Sequence, residues 1–396
     1  MASYSGDPDD VRPSRAAFWN DPVVRGIFWQ VVVVGIVVAL AAFLVSNTLA
    51  NLARQNIASG FGFFDQESGF AIGEAIIPFA PTQTYLRALV VGLLNTIKVA
   101  VAGIVFATLI GTLVGIMRLS PNWLMARIAT VYVETLRNIP LLLQLFFWYA
   151  LIVETLPPAN QAIGPVLGFY LSNRGLNVPV PNDWAYLGPL VGFLLAIVAS
   201  VILLKRSRRL HDATGQTKPV LLPSIGIVIV FILLGWAATG FPLTIDTPAL
   251  TGFSFKGGIV VSSEFLALWL GLTLYTATFI AEIVRSGIQA VDKGQWEAAG
   301  ALGLKRGQIL RFVVLPQSLR VIIPPLTSQY LNLTKNSSLA VAIGYPDIVS
   351  VANTTMNQTG QAIEGIAVIM TVYLSLSLSI SAFMNWYNKR IALVER

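Results

Sequence analysis

The stretch Gly26-Ile-Phe-Trp-Gln-Val-Val-Val-Val-Gly-Ile-Val-Val-Ala-Leu-Ala-Ala-Phe-Leu-Val-Ser-Asn-Thr-Leu-Ala-Asn-Leu-Ala53 contains no Asp, Glu, Lys or Arg. Wound as an α-helix at about 1.5 Å per residue, it outreaches the ~30 Å hydrocarbon core of a bilayer. It is too long for the apolar part of a secretion signal, and a polar segment of 25 residues precedes it. It reads as a transmembrane helix.

Seven further runs repeat the pattern. They are Val99–Met117, entered from about Ala88; Asn138–Val153, entered from about Met125; Trp184–Leu204; Pro219–Ile245; Phe265–Ala281; Val321–Pro346, interrupted only by Lys335; and Gly365–Asn388. The expected fold is all-α, a polytopic membrane protein with about eight transmembrane helices. Composition agrees. Only 11% of the residues are charged and 55% are hydrophobic, against roughly 25% charged in a soluble domain. A soluble globular protein, a disordered chain and a nucleic-acid-binding domain are excluded.

The absence of cysteine excludes a disulfide scaffold, a thiolate metal site and a Cys nucleophile. The single histidine, His211, is read as a solvated loop residue beside Asp212. No catalytic, cofactor-binding or metal-ligating residue is expected.

The net charge of +7 is read by position, because Lys and Arg report topology on a membrane protein. One set of loops holds 19 Lys and Arg, including Arg118, Arg127, Lys205, Arg285, Lys305 and Lys389. The opposite set holds 3, namely Arg54, Arg174 and Lys256. Eight spans put both termini on one side, and the positive-inside rule places that side in the cytoplasm. The loops 54–87 and 155–183 then face outward, where their Gly, Pro and aromatic residues suit compact interfacial caps. Gly103, Ala107, Gly111 and Gly115 form a flat stripe on the second span. It suits either packing within this chain or a subunit interface.

The cytoplasmic loop 284–320 is densely basic. Trp296 to Leu302 favours helix, Gly303 is placed as a terminator, and Lys305 to Val314 gives a second amphipathic stretch that Pro316 ends. A helix, a glycine and a second helix make a rigid knob for a partner, or a helix lying on the inner leaflet.

The run Glu297-Ala298-Ala299, with Gly303, Val313, Leu315 and Pro316 at fixed spacing after it, resembles the EAA loop of ABC importer permeases. Glu134 to Gln144, Tyr275 to Gln289 and Asn332 to Leu339 resemble further segments of the polar amino-acid subfamily. Asn138-Ile139 stands where that subfamily usually has Gly-Thr, and Ser286 replaces a glycine. The resemblance implies a type I importer core of five helices, enlarged here by one N-terminal helix and a two-helix insertion. That enlarged form resembles the permeases of general L-amino-acid ABC importers of Gram-negative bacteria. It implies a multi-pass protein of the bacterial inner membrane. The expected organisation is a cytoplasmic segment 1–25, an extra helix and periplasmic loop 26–87, a transport domain 88–388 with the insertion at about 156–261, and a cytoplasmic tail 389–396. Glu297, Ala298, Ala299, Gly303, Leu315 and Pro316 are the residues expected to couple to an ATPase. The implied partners are an ABC ATPase dimer, a second permease subunit in a heterodimer, a periplasmic amino-acid-binding protein, an L-amino acid and membrane lipid, with no nucleic acid. No Gly-x-x-x-x-Gly-Lys-Ser/Thr occurs, so the phosphate-cradling loop of an ATPase is missing and hydrolysis belongs to a separate subunit.

Polar groups inside spans are expensive and are functional candidates. Glu134, Arg137, Asn138 and Gln144 surround Pro140. Proline removes a helix hydrogen bond, and a helix broken near the midplane presents freed backbone to a substrate. Arg137 is expected either to meet a substrate carboxylate or to pair with Glu134. Gln329, Asn332 and Asn336 recur at helical spacing, followed by Ser337 and Ser338. This stripe is expected to line the path, the alternative being hydrogen bonding between helices. Asn336, where an Asp would suit a cationic side chain, leans toward neutral or broad specificity. Lys98 needs an acid, with Glu134 and Glu264 as candidates, or else snorkels. Glu282 is expected to be structural.

The function implied is ATP-driven import of polar or varied L-amino acids. The alternative is an ion-coupled secondary transporter of small polar solutes, which commonly carries inverted repeats; no matched halves are visible. A membrane enzyme is weaker, for want of catalytic groups.

Overall fold

The charge-free runs are helices in the structure, a computed structural model that describes residues 22–54, 60–181, 186–214, 220–241, 244–252 and 254–391. The terminal segments 1–21 and 392–396 lie outside the described residues, as does Trp184. In order come α1 (Pro22–Arg54), α2 (Tyr85–Met117), α3 (Trp123–Asn138), α4 (Leu141–Thr155), α5 (Leu187–Thr214), α6 (Leu221–Ala238) and α7 (Ser263–Gln289). Then follow α8 (Lys293–Ala301), α9 (Arg306–Ile309), α10 (Leu315–Asn336), α11 (Ile348–Thr359) and α12 (Ala362–Ile391). Among the described residues seven helices are long and apolar enough to cross a membrane, or eight if the bent pair α3–α4 is one span.

That bent pair is the third span, broken at Pro140 as the sequence suggests. α3 and α4 meet at 105°. The cause is local. Ile139 precedes a proline and is driven out of helical geometry, to φ −93 and ψ 130. Pro140 then caps α4 with φ −53.

α7 is the centre of the core, with Leu268, Leu272, Ala277 and Ile280 fully buried. The small-residue stripe of α2 lies against it. A Cβ added at Gly111 would sit 2.8 Å from the Ala277 carbonyl oxygen, and one at Gly115 would sit 2.7 Å from that of Ala281. Gly103 faces Leu333 of α10 instead. The stripe is therefore packing within this chain, because only missing side chains let two backbones come this close. On its other faces α7 receives Leu145 of α4 at Gly271 and Ile322 of α10 at Gly287.

The insertion is not purely helical. Strands β1 (Ile163–Val166), β2 (Phe169–Ser172) and β3 (Gly175–Val178) form an antiparallel sheet with β8 (Ile259–Ser262). The register pairs Gly175 with Ser262 and Val178 with Ile259. Short pairs β4 (Val180–Pro181) with β5 (Ile245–Asp246) and β6 (Ala249–Thr251) with β7 (Ser254–Lys256) complete the cap. Since β8 runs directly into α7, the sheet ties the insertion to the core. α5 and α6 meet backbone to backbone at Gly188, Gly192 and Gly235, where a Cβ at Gly192 would lie 2.1 Å from the Phe231 carbonyl oxygen. His211 falls inside α5, which continues past the apolar run to Thr214, and not in a loop. Lys, Arg and Leu propagate a helix well. Neither α1 nor α6 has a fully buried residue in its apolar window; α6 is half-covered where it meets α5, and α1 is exposed along almost its whole length.

Candidate functional site

Four constellations bear on function, beginning with the loop after α7. Asp292 caps α8 by accepting from the Gly294 amide at 2.6 Å. At the other end the Gly303 N–H donates to Gly300 O at 2.9 Å and the Leu304 N–H to Ala299 O at 3.3 Å. With Gly303 at φ +77, these bonds form a Schellman cap. Ala299, Val291, Ile309 and Val314 make a small core beneath Trp296 and Leu304. The unit is thus a rigid knob. Ala299 belongs to its interior, whereas Glu297, Ala298 and Leu302 point outward, Leu302 being 81% exposed. Glu297 has no ion pair among the described residues. Leu315 is exposed and Pro316 half-buried.

Pro316 does not end the second stretch. Residues 310–314 form a π-helical turn and α10 restarts at Leu315, with the proline in its first turn. There its missing N–H costs nothing, and the wider turn absorbs the change of register.

The second constellation fastens the ends of α2, α3 and α7 next to the knob. Arg118 Nη1 donates to Glu282 Oε2 at 2.5 Å, and Arg285 Nε donates to the same oxygen at 3.2 Å. Arg285 Nη2 reaches the other carboxylate oxygen, and its Nη1 donates to Gln289 Oε1 at 2.6 Å. Glu134 leans to Arg118 at 3.7 Å. Glu282 joins α7 to the end of α2, and Glu134 pairs with Arg118, not with Arg137 or Lys98, the two alternatives raised for it.

The third lies at the break. The Arg137 guanidinium sits 5.1 Å over the Phe279 ring of α7. It is exposed, as are Asn138 and Pro140. Asn138 Nδ2 donates to Glu134 O at 2.7 Å. Gln144 is buried, and its Nε2 donates to Leu136 O at 2.7 Å and Ile139 O at 3.0 Å. It therefore satisfies the carbonyls freed by the break, a structural task.

The fourth is the stripe on α10. Asn332 is exposed, Gln329 and Asn336 are half-buried, and no hydrogen bond from their side chains occurs among the described residues. Ser337 is fully buried and donates to Thr334 O at 2.7 Å, while Ser338 donates to Lys335 O at 2.8 Å. The two serines finish the helix, and the three amides are the groups left to receive something. No hydrogen bond or ion pair joins this stripe to the Arg137 cluster among the described residues.

Sequence reasoning missed the partner of Lys98. Its Nζ pairs with Glu74 of the α1–α2 connection and lies 4.2 Å over the Phe265 ring. Glu74 also accepts from Ser262 Oγ. Asn95 Nδ2 donates to Glu74 O at 2.8 Å and Pro346 O at 2.9 Å. Asp347 was missed as well. It is fully buried in the connection before α11, accepts from the Ser350 amide at 2.8 Å, and burial pushes its carboxyl from 3.8 up to about 7.

Residues 188–393, which include the knob and the amide stripe, match the family of binding-protein-dependent transport system inner membrane components. The chain belongs to that family. This transport component is 50% identical over 394 residues to a general L-amino acid transport system permease protein of Rhizobium johnstonii, a match covering 98% of each chain. It is 48% identical over 378 residues to a putative amino-acid ABC transporter permease protein of Escherichia coli, covering 95% of this chain and 96% of that one. It is 41% identical over 427 residues to a glutamate/glutamine/aspartate/asparagine transport system permease protein of Rhodobacter capsulatus, covering 100% of both. Matches of that extent include α1 and the insertion, so the component shares its enlarged form with these relatives.

Proposed function

We propose that the chain is the permease subunit of an ATP-driven importer that moves L-amino acids, polar or varied, from periplasm to cytoplasm. Both termini and the knob around α8 face the cytoplasm. The observation that carries the reading is the knob itself, a capped helix with its own core and an unpaired Glu297 turned outward. A rigid unit of that kind transmits a push, and it supports a role as the helix seated on an ATPase subunit. A loaded binding protein docks on the outer loops. ATP binding closes the ATPase pair, the knob moves with it, and the spans open outward. Substrate then passes Arg137, Asn138 and Pro140 at the broken helix and the amides Gln329, Asn332 and Asn336. A second permease, in a heterodimer, completes the path.

The test is co-purification followed by uptake. Glu297→Lys should insert in the membrane normally yet lose the ATPase subunit. Uptake into proteoliposomes holding the full assembly should follow internal or external ATP and ignore dissipation of ion gradients. Retained assembly by Glu297→Lys, or uptake by this chain without an ATPase, overturns the proposal.

A further inference from the structure

At the inner ends of α2, α3, α7 and α10 the chain encloses a crevice of about 820 Å³. Its floor is apolar, made by Met117, Leu119 and Met125 together with Leu310 and Val314 of the π-helical turn. Its rim is cationic. Lys293, Arg306 and Arg311 line it, and all three are exposed. No acidic side chain lines the crevice, and among the described residues none of the three cations has an acidic partner. Arg311 lies 5.6 Å from the ring of Phe312.

An apolar floor alone would suit another helix or an acyl chain. Unpaired cations alone would suit any anion. The two together, at the boundary where spans end, fit an amphiphile with an anionic head. We infer that the crevice holds an anionic phospholipid of the inner leaflet, its phosphate met by Lys293, Arg306 and Arg311 and an acyl chain laid on Met117, Leu310 and Val314. The inference rests on the proposed orientation, with this end of the bundle in the cytoplasm. Such a lipid stands between the α2–α3 turn and the knob. It makes the coupling movement sensitive to the leaflet's composition.

The test uses the complete transporter in phosphatidylcholine nanodiscs containing phosphatidylglycerol, read by native mass spectrometry of retained lipid. Wild type should keep phosphatidylglycerol, and soluble glycerophosphate should not displace it. Arg306→Gln with Arg311→Gln should weaken retention by about fivefold per charge. Gly307→Phe tests the floor with the charges intact, because Gly307 lines the crevice and a Cβ there meets nothing within 4 Å. It should also expel the lipid. Equal retention by all variants overturns the inference, and so does wild type free of anionic lipid. Loss of the ATPase subunit from Gly307→Phe overturns it too, by giving the crevice to a protein. Orientation is tested separately in this cysteine-free chain. Gly307→Cys should react with an impermeant maleimide only from the inner face, so a wrong topology is distinguishable from an empty crevice.

Discussion

Arg118, just after α2, and Glu282, in the last third of α7, are joined at 2.5 Å. With Arg285 on the same carboxylate, the contact fixes one end of two helices whose backbones come close at Gly115. Glu282→Gln should lower stability by ~1–2 kcal/mol, since the side chains are partly exposed and screening reduces their worth. The charge-swapped pair Arg118→Glu with Glu282→Arg should recover part of it. Thermal midpoints in detergent for the two singles and the double give the coupling.

The α2–α7 contact makes a sharper prediction. Gly115→Leu must drive a side chain into the Ala281 carbonyl, at a cost of ~3 kcal/mol or more. Gly26→Leu, on α1 where a Cβ meets nothing within 4 Å, should be neutral. Size-exclusion chromatography after membrane extraction should show aggregation for the first and a wild-type profile for the second.

At the break, Gln144→Leu keeps the volume and removes both donors to Leu136 and Ile139. The Leu136 and Ile139 carbonyls then lose that donor, and with Leu136 half-buried and Ile139 exposed the loss is ~1 kcal/mol. Yield and midpoint should fall while single-residue changes at exposed Asn138 leave both unchanged.

Gly303 holds φ +77 at the end of α8. Gly303→Val should disorder the knob, and Gly303→Asn, which tolerates that region, should restore much of it. Limited proteolysis at the loop reads the difference. Equal protection of both variants would sink the claim.

Asp347 gives the pH dependence. Its carboxyl is raised from 3.8 to about 7 by burial, so the folded chain holds a proton there that the unfolded chain has released. Its contribution is undiminished below about 3.8, declines as pH rises, and has reached its full cost above about 7. The slope is at most ~1.4 kcal/mol per pH unit. Asp347→Asn, which still caps α11, should flatten that slope in melting curves taken from pH 4 to 7.

Much of the fold is legible in the sequence. The spans follow from charge-free runs, because lipid accepts no unpaired charge. The break at Ile139-Pro140 was legible in position but not in angle, because a proline disrupts a helix without dictating where the next one goes. The Gly303 terminator was legible because a glycine after an apolar helix has one common use. The short strands of the insertion were not, since their residues read only as a Gly- and Pro-rich loop until β8 supplies the partner. Nor was the inward face of Ala299, which depends on Ile309 and Val314 folding back beneath it.

The sequence by itself determined which segments are apolar enough to enter the membrane, where charge collects and which loop carries the Glu297-Ala298-Ala299 motif, because those are properties of composition along the chain. Only the tertiary structure decided who pairs with whom. Lys98 found Glu74, in the connection before α2, Arg118 took Glu282, and the glycine stripe of α2 packs on α7 and α10 of the same chain. Pairing is a matter of distance in space, and distance between remote residues is set by the packing of helices, which no single helix encodes.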